Sequence, residues 1–93
     1  MPSAPPQATD LQTIPGVGPR VSEAFHDLGI DSVEELVGQS PRALYERMQL
    51  REGPQDRCVL YVFRCAVYFA EHPEPDPELL LWWRWKDRPY PGE

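Results

Sequence analysis

A chain of 93 residues can hold one domain with a modest core, and 41% hydrophobic and 11% aromatic residues give it enough to bury to exclude a mainly disordered protein. Fifteen acidic against nine basic residues, a net charge of -6, is the wrong sign for holding nucleic acid by global attraction, so any such binding must be local. The longest apolar run, residues 58–63, is too short to span a bilayer, no basic start precedes an early apolar stretch, and two cysteines make no disulfide framework, so a cytoplasmic protein is expected.

Residues 1–9, with Pro2, Pro5 and Pro6, lack periodicity and read as a flexible tail. Asp10 is placed to cap a short helix in which Leu11 and Ile14 share a face, and Pro15-Gly16 ends it. A second helix starts at Pro19, buries Val21, Phe25 and Leu28, and closes at Gly29. Ser32 and Glu35 form a capping box for a third, running to about Val37. Ser40-Pro41 opens a fourth with Leu44, Tyr45 and Met48 inward, ended by Gly53-Pro54. Asp56 caps the longest helix, to about Glu71. On it Arg57, Tyr61, Arg64, Tyr68 and Glu71 share one narrow strip and apolar side chains occupy the rest, as expected of the central core helix. The connector from His72 to Pro77 is stiffened by its prolines. Asp76 and Pro77 then start a last helix carrying Trp82, Trp83 and Trp85, which cannot all face inward; one is expected near the surface, where it can contact a partner. The domain is expected over residues 10–87, with a tail at 88–93.

The most informative segment is Ile14, Pro15, Gly16, Val17, Gly18, Pro19, Arg20. Two helices joined so closely must turn sharply, and glycine supplies backbone angles that other residues avoid. Val17 can plug into the core as an anchor. The following helix begins with its amides exposed and the positive end of its dipole outward, a ready anion site. Without side chains, Gly16 and Gly18 let a phosphate oxygen approach, and Arg20 adds charge beside it.

These residues, with Leu11 before them and Phe25, Gly29 and Ile30 after, resemble the helix-hairpin-helix motif of DNA repair and recombination proteins. Ser22 stands where that motif usually has Ala. The later stretch from Asp56 to Glu71 and the Trp-rich end resemble short bacterial proteins of a pathogenicity-locus or mitomycin-resistance family, over residues 11–87. The resemblance implies an all-α fold: a compact bundle of five to six short helices in tandem helix-hairpin-helix, SAM-like architecture, with a C-terminal Trp-rich helix and a loose link to DNA damage. In many such proteins two hairpins pair, each gripping the phosphates of one strand. The second candidate here, residues 51–57, has only Gly53 and reads as degenerate, a structural turn beside which Arg51 and Arg57 add charge.

Phosphate contact is therefore expected at Gly16, Val17, Gly18, Arg20 and Ser22, with Arg51, Arg57 and Arg64 as auxiliaries. Residues 1–50 hold seven acids against three Arg, so such binding would be weak, with a salt slope of roughly -2 to -3. The strip of Arg57, Tyr61, Arg64 and Tyr68 reads as a solvated face, an arrangement also able to stack bases. Cys58, Cys65 and His72 recur every seven residues, but one helix separates the sulfurs by roughly 10 Å, too far to share a zinc, and both read as small apolar groups. His26 reads as isolated on a solvent face. No nucleophile with a positioned base, phosphate-binding lysine loop or metal pair is present. The chain is expected to be a non-enzymatic module without cofactor, metal, membrane association or small-molecule substrate, binding DNA without sequence preference through hairpin amides. The alternative is a protein-interaction or assembly adaptor that binds no DNA.

Overall fold

A computed structural model describes residues 10–93 and contains three α-helices: α1 (Pro19–Asp27), α2 (Pro41–Glu52) and α3 (Arg57–Glu71). The tail expected at 1–9 lies outside the described residues. The remaining ordered segments are single 3-10 turns, Asp10–Thr13, Glu34–Leu36, Pro77–Leu80 and Trp82–Trp85, and the described residues contain no strand. The all-helical class stands, but five to six helices become three. Four or fewer residues cannot recover the cost of nucleating an α-helix, and tight i to i+3 bonding suffices for a turn that only changes direction. At the C-terminal end Leu81 is extended (φ -91°, ψ 107°), which splits the expected Trp-rich helix into two such turns.

Local chemistry sets the three α-helices where the sequence put them. Ser40 Oγ accepts from the Ala43 amide at 3.1 Å and Asp56 Oδ1 from the Cys58 amide at 2.9 Å, each satisfying a donor that helix geometry leaves unpaired. At the end of α1 the Ile30 amide reaches back to the Phe25 carbonyl at 2.8 Å, a Schellman closure that turns Ile30 into the core behind Phe25.

The capping box is shifted by one residue from expectation. The Glu35 amide lies 3.4 Å from Ser32 Oγ, but Glu35 Oε1 accepts from the Asp31 amide, at 2.6 Å. Asp10 also does something a local reading does not give: its carboxylate accepts from the Val33 amide at 2.9 Å and ties the first 3-10 turn to the start of the second.

The core gathers around α3. Leu60, Val62, Phe63, Cys65, Ala66 and Val67 are buried there against Leu11, Ile14, Phe25, Leu36 and Leu44, with the rings of Phe25 and Phe63 4.9 Å apart. The polar strip of α3 is solvated at Arg57 but not along its whole length as expected, because the chain from Trp82 onward folds back over Arg64 and Tyr68. Arg64 is 3% exposed, donating from Nη1 to the Trp85 carbonyl at 2.8 Å and from Nη2 to Glu93 Oε1 at 2.7 Å. Tyr68 is buried between the His72 and Trp85 rings, and its hydroxyl accepts from the Asp76 amide at 2.9 Å. Residues 88–93 therefore do not form the expected tail: Tyr90 is buried and donates to Glu71, whose other oxygen accepts from the Gly38 amide at 2.6 Å. A Cα radius of gyration of 12.6 Å is that of a compact domain of this length.

Candidate functional site

The segment before α1 is a turn fixed by its own residues. The Val17 amide donates to the Ile14 carbonyl at 3.0 Å across Pro15 and Gly16, and Gly16 has φ +88°. Proline first and positive φ second is the signature of a type II turn. Ile14 and Val17, on either side, are both buried, so the turn is anchored by two side chains while Gly16 and Gly18 stay exposed.

Gly18 is the N-cap of α1, with extended backbone (φ -96°, ψ -170°) and no side chain to cap with. Its carbonyl accepts from the Ser22 amide at 3.0 Å, the first bond of the helix. Pro19 has no amide hydrogen. Among the described residues no acceptor is bonded to the amides of Gly18, Arg20 and Val21, so the first turn of α1 presents donors together with the positive end of the helix dipole. Among the described residues, a Cβ built on Gly18 meets nothing within 4 Å. The approach to these amides is open on that side.

The expected site residues divide accordingly. Gly16, Gly18 and Arg20 lie together at the exposed turn. Val17 contributes no amide, because the turn itself uses it. Ser22 is 1% exposed, and its Oγ is the buried side-chain polar atom without a hydrogen-bond partner among the described residues, so it faces the interior and not a phosphate. Arg64 is removed from the auxiliary set by Glu93 and the Trp85 carbonyl. Arg51 and Arg57 are exposed on either side of the second turn. That turn comes close to α1: Arg20, Glu23, Ala24 and Asp27 line a groove of about 300 Å³ with Met48, Glu52 and Gln55. Three carboxylates share this groove with Arg20, which offsets its charge.

The second turn differs in its bonding. Gly53 again has positive φ, +90°, but the Gln55 amide is taken by Gln49 Oε1 at 3.3 Å and the Gln55 carbonyl accepts from the Tyr45 hydroxyl at 2.7 Å. Asp56 then occupies the first-turn amide of α3. That bond holds the Asp56 carboxyl below its usual pKa.

Sequence reasoning missed one neighbour of the turn before α1. A methyl group added at Gly16 would come 3.2 Å from Trp82 Cδ1, so the indole covers one side of the turn. Trp82 is half-buried, and beside it, ring centroids 5.6 Å apart and nearly perpendicular, Trp83 is 53% exposed. Periodicity could not reveal a contact between segments so far apart. Composition held a signal, because residues 82–88 interleave three Trp with Arg84, Lys86 and Arg88.

Elsewhere, chemistry-bearing groups are committed to structure. Cys65 is buried, with Sγ 3.6 Å from the Leu79 carbonyl, and burial pushes its thiol up to about 11. Burial, then the hydrogen bond with Asp56, also raises Cys58. Thiolate is the reactive form, so both are poor nucleophiles near neutrality. No group of three or more His, Cys, Asp or Glu comes together for a metal ion among the described residues. His26 is not isolated as expected: Nδ1 lies 2.6 Å from Asp31 Oδ1. Among the described residues, no helix is long and apolar enough to cross a membrane.

Known proteins resemble the chain over most of its length. The model of a family described as pathogenicity locus matches residues 5–89. The mitomycin resistance protein McrB of Streptomyces lavendulae is 35% identical over 78 residues, covering 83% of this chain and 70% of that protein. No solved structure gives a significant match. By the span of the family match and by the identity and coverage of this relative, the chain belongs to the pathogenicity-locus family.

Proposed function

We propose that the protein is a non-enzymatic helix-hairpin-helix module that binds DNA without sequence preference. The amides of Gly18, Arg20 and Val21 and the Arg20 guanidinium take a backbone phosphate. The observation that carries this reading is the unequal treatment of the helix starts. Ser40 and Asp56 plug α2 and α3, whereas α1 has no capping side chain and an unobstructed Gly18. Such a terminus suits a phosphate, and contacts of this kind fix position without reading bases.

The groove that joins Arg20 to Glu52 and Gln55 supports a tandem arrangement, with the second turn beside the first and Arg51 and Arg57 flanking it. The second turn, its groups already bonded, acts as a spacer. With few contacts and an acidic surround, binding is weak and steeply salt-dependent.

The test is a titration of fluorescent duplex DNA at low and moderate salt with wild type, Gly18→Asp and Arg20→Ala. Gly18→Asp puts a carboxylate where the phosphate would sit while keeping a good N-cap, and is expected to weaken binding at least about ten-fold, roughly one charge-assisted contact. Absence of binding at low salt, or survival in both variants, overturns the hairpin mechanism.

A second reading, a protein-interaction adaptor, is favoured by Leu50, which is 87% exposed beside Glu46, Gln49 and Pro54. It predicts that Leu50→Ser loses a partner in a pull-down that Gly18→Asp retains. A partner retained by Leu50→Ser would remove it.

A further inference from the structure

The Trp-rich segment beside the hairpin has properties that core packing does not need. Trp85 is buried and fully employed: its Nε1 donates to the Leu79 carbonyl at 2.9 Å, its ring packs on Tyr68 and Tyr90, and its carbonyl is held by Arg64. Trp82 is half-buried against the hairpin backbone at Gly16. Trp83 makes neither kind of contact. It keeps 53% of its surface in water, steadied edge to face by Trp82 at 5.6 Å between centroids.

The charge of its own segment is the reverse of the protein's average. In a chain of net charge -6, residues 82–88 carry Arg84, Lys86 and Arg88 against Asp87 alone, and all four are exposed. Arg84 is engaged by Glu78 at 2.6 Å and Arg88 lies over the Trp85 ring at 5.8 Å, which leaves Lys86 without a partner among the described residues. Of the other two exposed large apolar side chains among the described residues, Val37 and Leu50, the more exposed, Leu50, has Glu46 beside it and no cation in its hollow. A flat exposed ring in a basic segment, next to the indole that covers Gly16, fits a polyanion that also offers flat apolar faces.

We propose that Trp83, mounted on Trp82 in a segment that also carries Lys86 and Arg88, is a stacking platform for an unpaired nucleobase. The phosphate adjoining that base occupies the α1 amides, and the preferred DNA is a single strand or a frayed end, not an intact duplex. The inference rests on the hairpin reading given under Proposed function and names its substrate class. The physical basis is that every base has a face to stack, so sequence is not read, whereas in a duplex those faces are already used. The Cys58, Cys65 and His72 series has no part in it.

The experiment measures anisotropy of a fluorescent oligothymidine and of a blunt mixed-sequence duplex at low salt, together with quenching of tryptophan emission. Wild type, Trp83→Ala, Trp83→Phe and Gly18→Asp are compared, each checked for helix content by circular dichroism. The single strand is expected to bind more tightly than the duplex and to quench emission. Trp83→Ala should lose about ten-fold on the single strand and less than about two-fold on the duplex, and Trp83→Phe should recover part of the loss.

Equal effects of Trp83→Ala on both DNAs, or none on either, overturn the platform, and the hairpin reading then stands or falls on Gly18→Asp alone. If Gly18→Asp binds as wild type while Trp83→Ala loses the single strand, the platform stands and the hairpin reading falls. Failure of wild type to bind either DNA overturns both and assigns the exposed indole to a protein partner.

Discussion

The turn leading into α1 and the turn leading into α3 draw on the same residue types, proline with glycine at positive φ, yet expose opposite chemistry. Before α3, Gln49, Tyr45 and Asp56 bond the backbone of the turn, and the helix start carries its own negative charge. Before α1, Gly18 leaves the amides of the first helical turn uncapped, and the covering group is the ring of Trp82 at one side. A turn built to connect spends its polar groups internally. The first turn spends only the Val17 amide on itself, and its strength comes from two buried apolar anchors, Ile14 and Val17.

The contrast can be broken most strongly from the C-terminal side, since the first turn leans on that segment through Trp82. Arg64 and Glu93 are both nearly buried. Glu93→Gln leaves a guanidinium without its counter-charge and is expected to cost about 3 to 5 kcal/mol in urea unfolding. Arg64→Met added to it should restore part of that loss. An unaltered unfolding midpoint for Glu93→Gln would mean that the segment does not hold Trp82 in place.

Next in size is Gly16→Ala, expected to cost about 1 to 3 kcal/mol from positive φ and the approach to Trp82. In a Trp82→Ala background only the backbone strain remains, so a double-mutant cycle should give a coupling of about 0.5 to 1 kcal/mol. Gly53→Ala, where an added methyl meets nothing within 4 Å, should show no coupling to Trp82.

Ser22→Ala removes a buried hydroxyl without a partner among the described residues and is expected to stabilise by about 1 kcal/mol while leaving DNA titration unchanged. Loss of binding in this variant would return Ser22 to the site.

The second turn titrates and the first does not. The Cys58 amide lowers the Asp56 pKa below the ordinary 3.8, so folding gains stability from ionised Asp56 above that value. The gain disappears as pH falls through the lower folded pKa. Thermal unfolding below pH 4 should therefore show a smaller acid dependence in Asp56→Asn than in wild type. The smallest effect is on stability in Gly18→Asp, which should be unchanged or raised by a few tenths of a kcal/mol, because aspartate caps at least as well as glycine and favours the dipole.

Much of the backbone plan was legible because its causes are local. Pro19, Ser40-Pro41 and Asp56 mark the three helix starts through amide chemistry within three residues, and the apolar density of residues 58–69 marks the central helix. The positive φ at Gly16 follows equally from the Pro-Gly pair. The short segments end as 3-10 turns because a cap residue does not by itself let four residues sustain an α-helix.

Tertiary structure decided what each exposed-looking group does. The strip of Arg64 and Tyr68 has the periodicity of a solvent face and is buried, because Trp85, Tyr90 and Glu93 supply a ring, a hydroxyl and a carboxylate from the far end of the chain. The same fold-back sets Trp82 against Gly16. Sequence determines where a chain can turn, since turning depends on nearest neighbours. Which turn stays open and what lies against it depends on contacts between segments far apart, and helical or alternating periodicity carries no record of those.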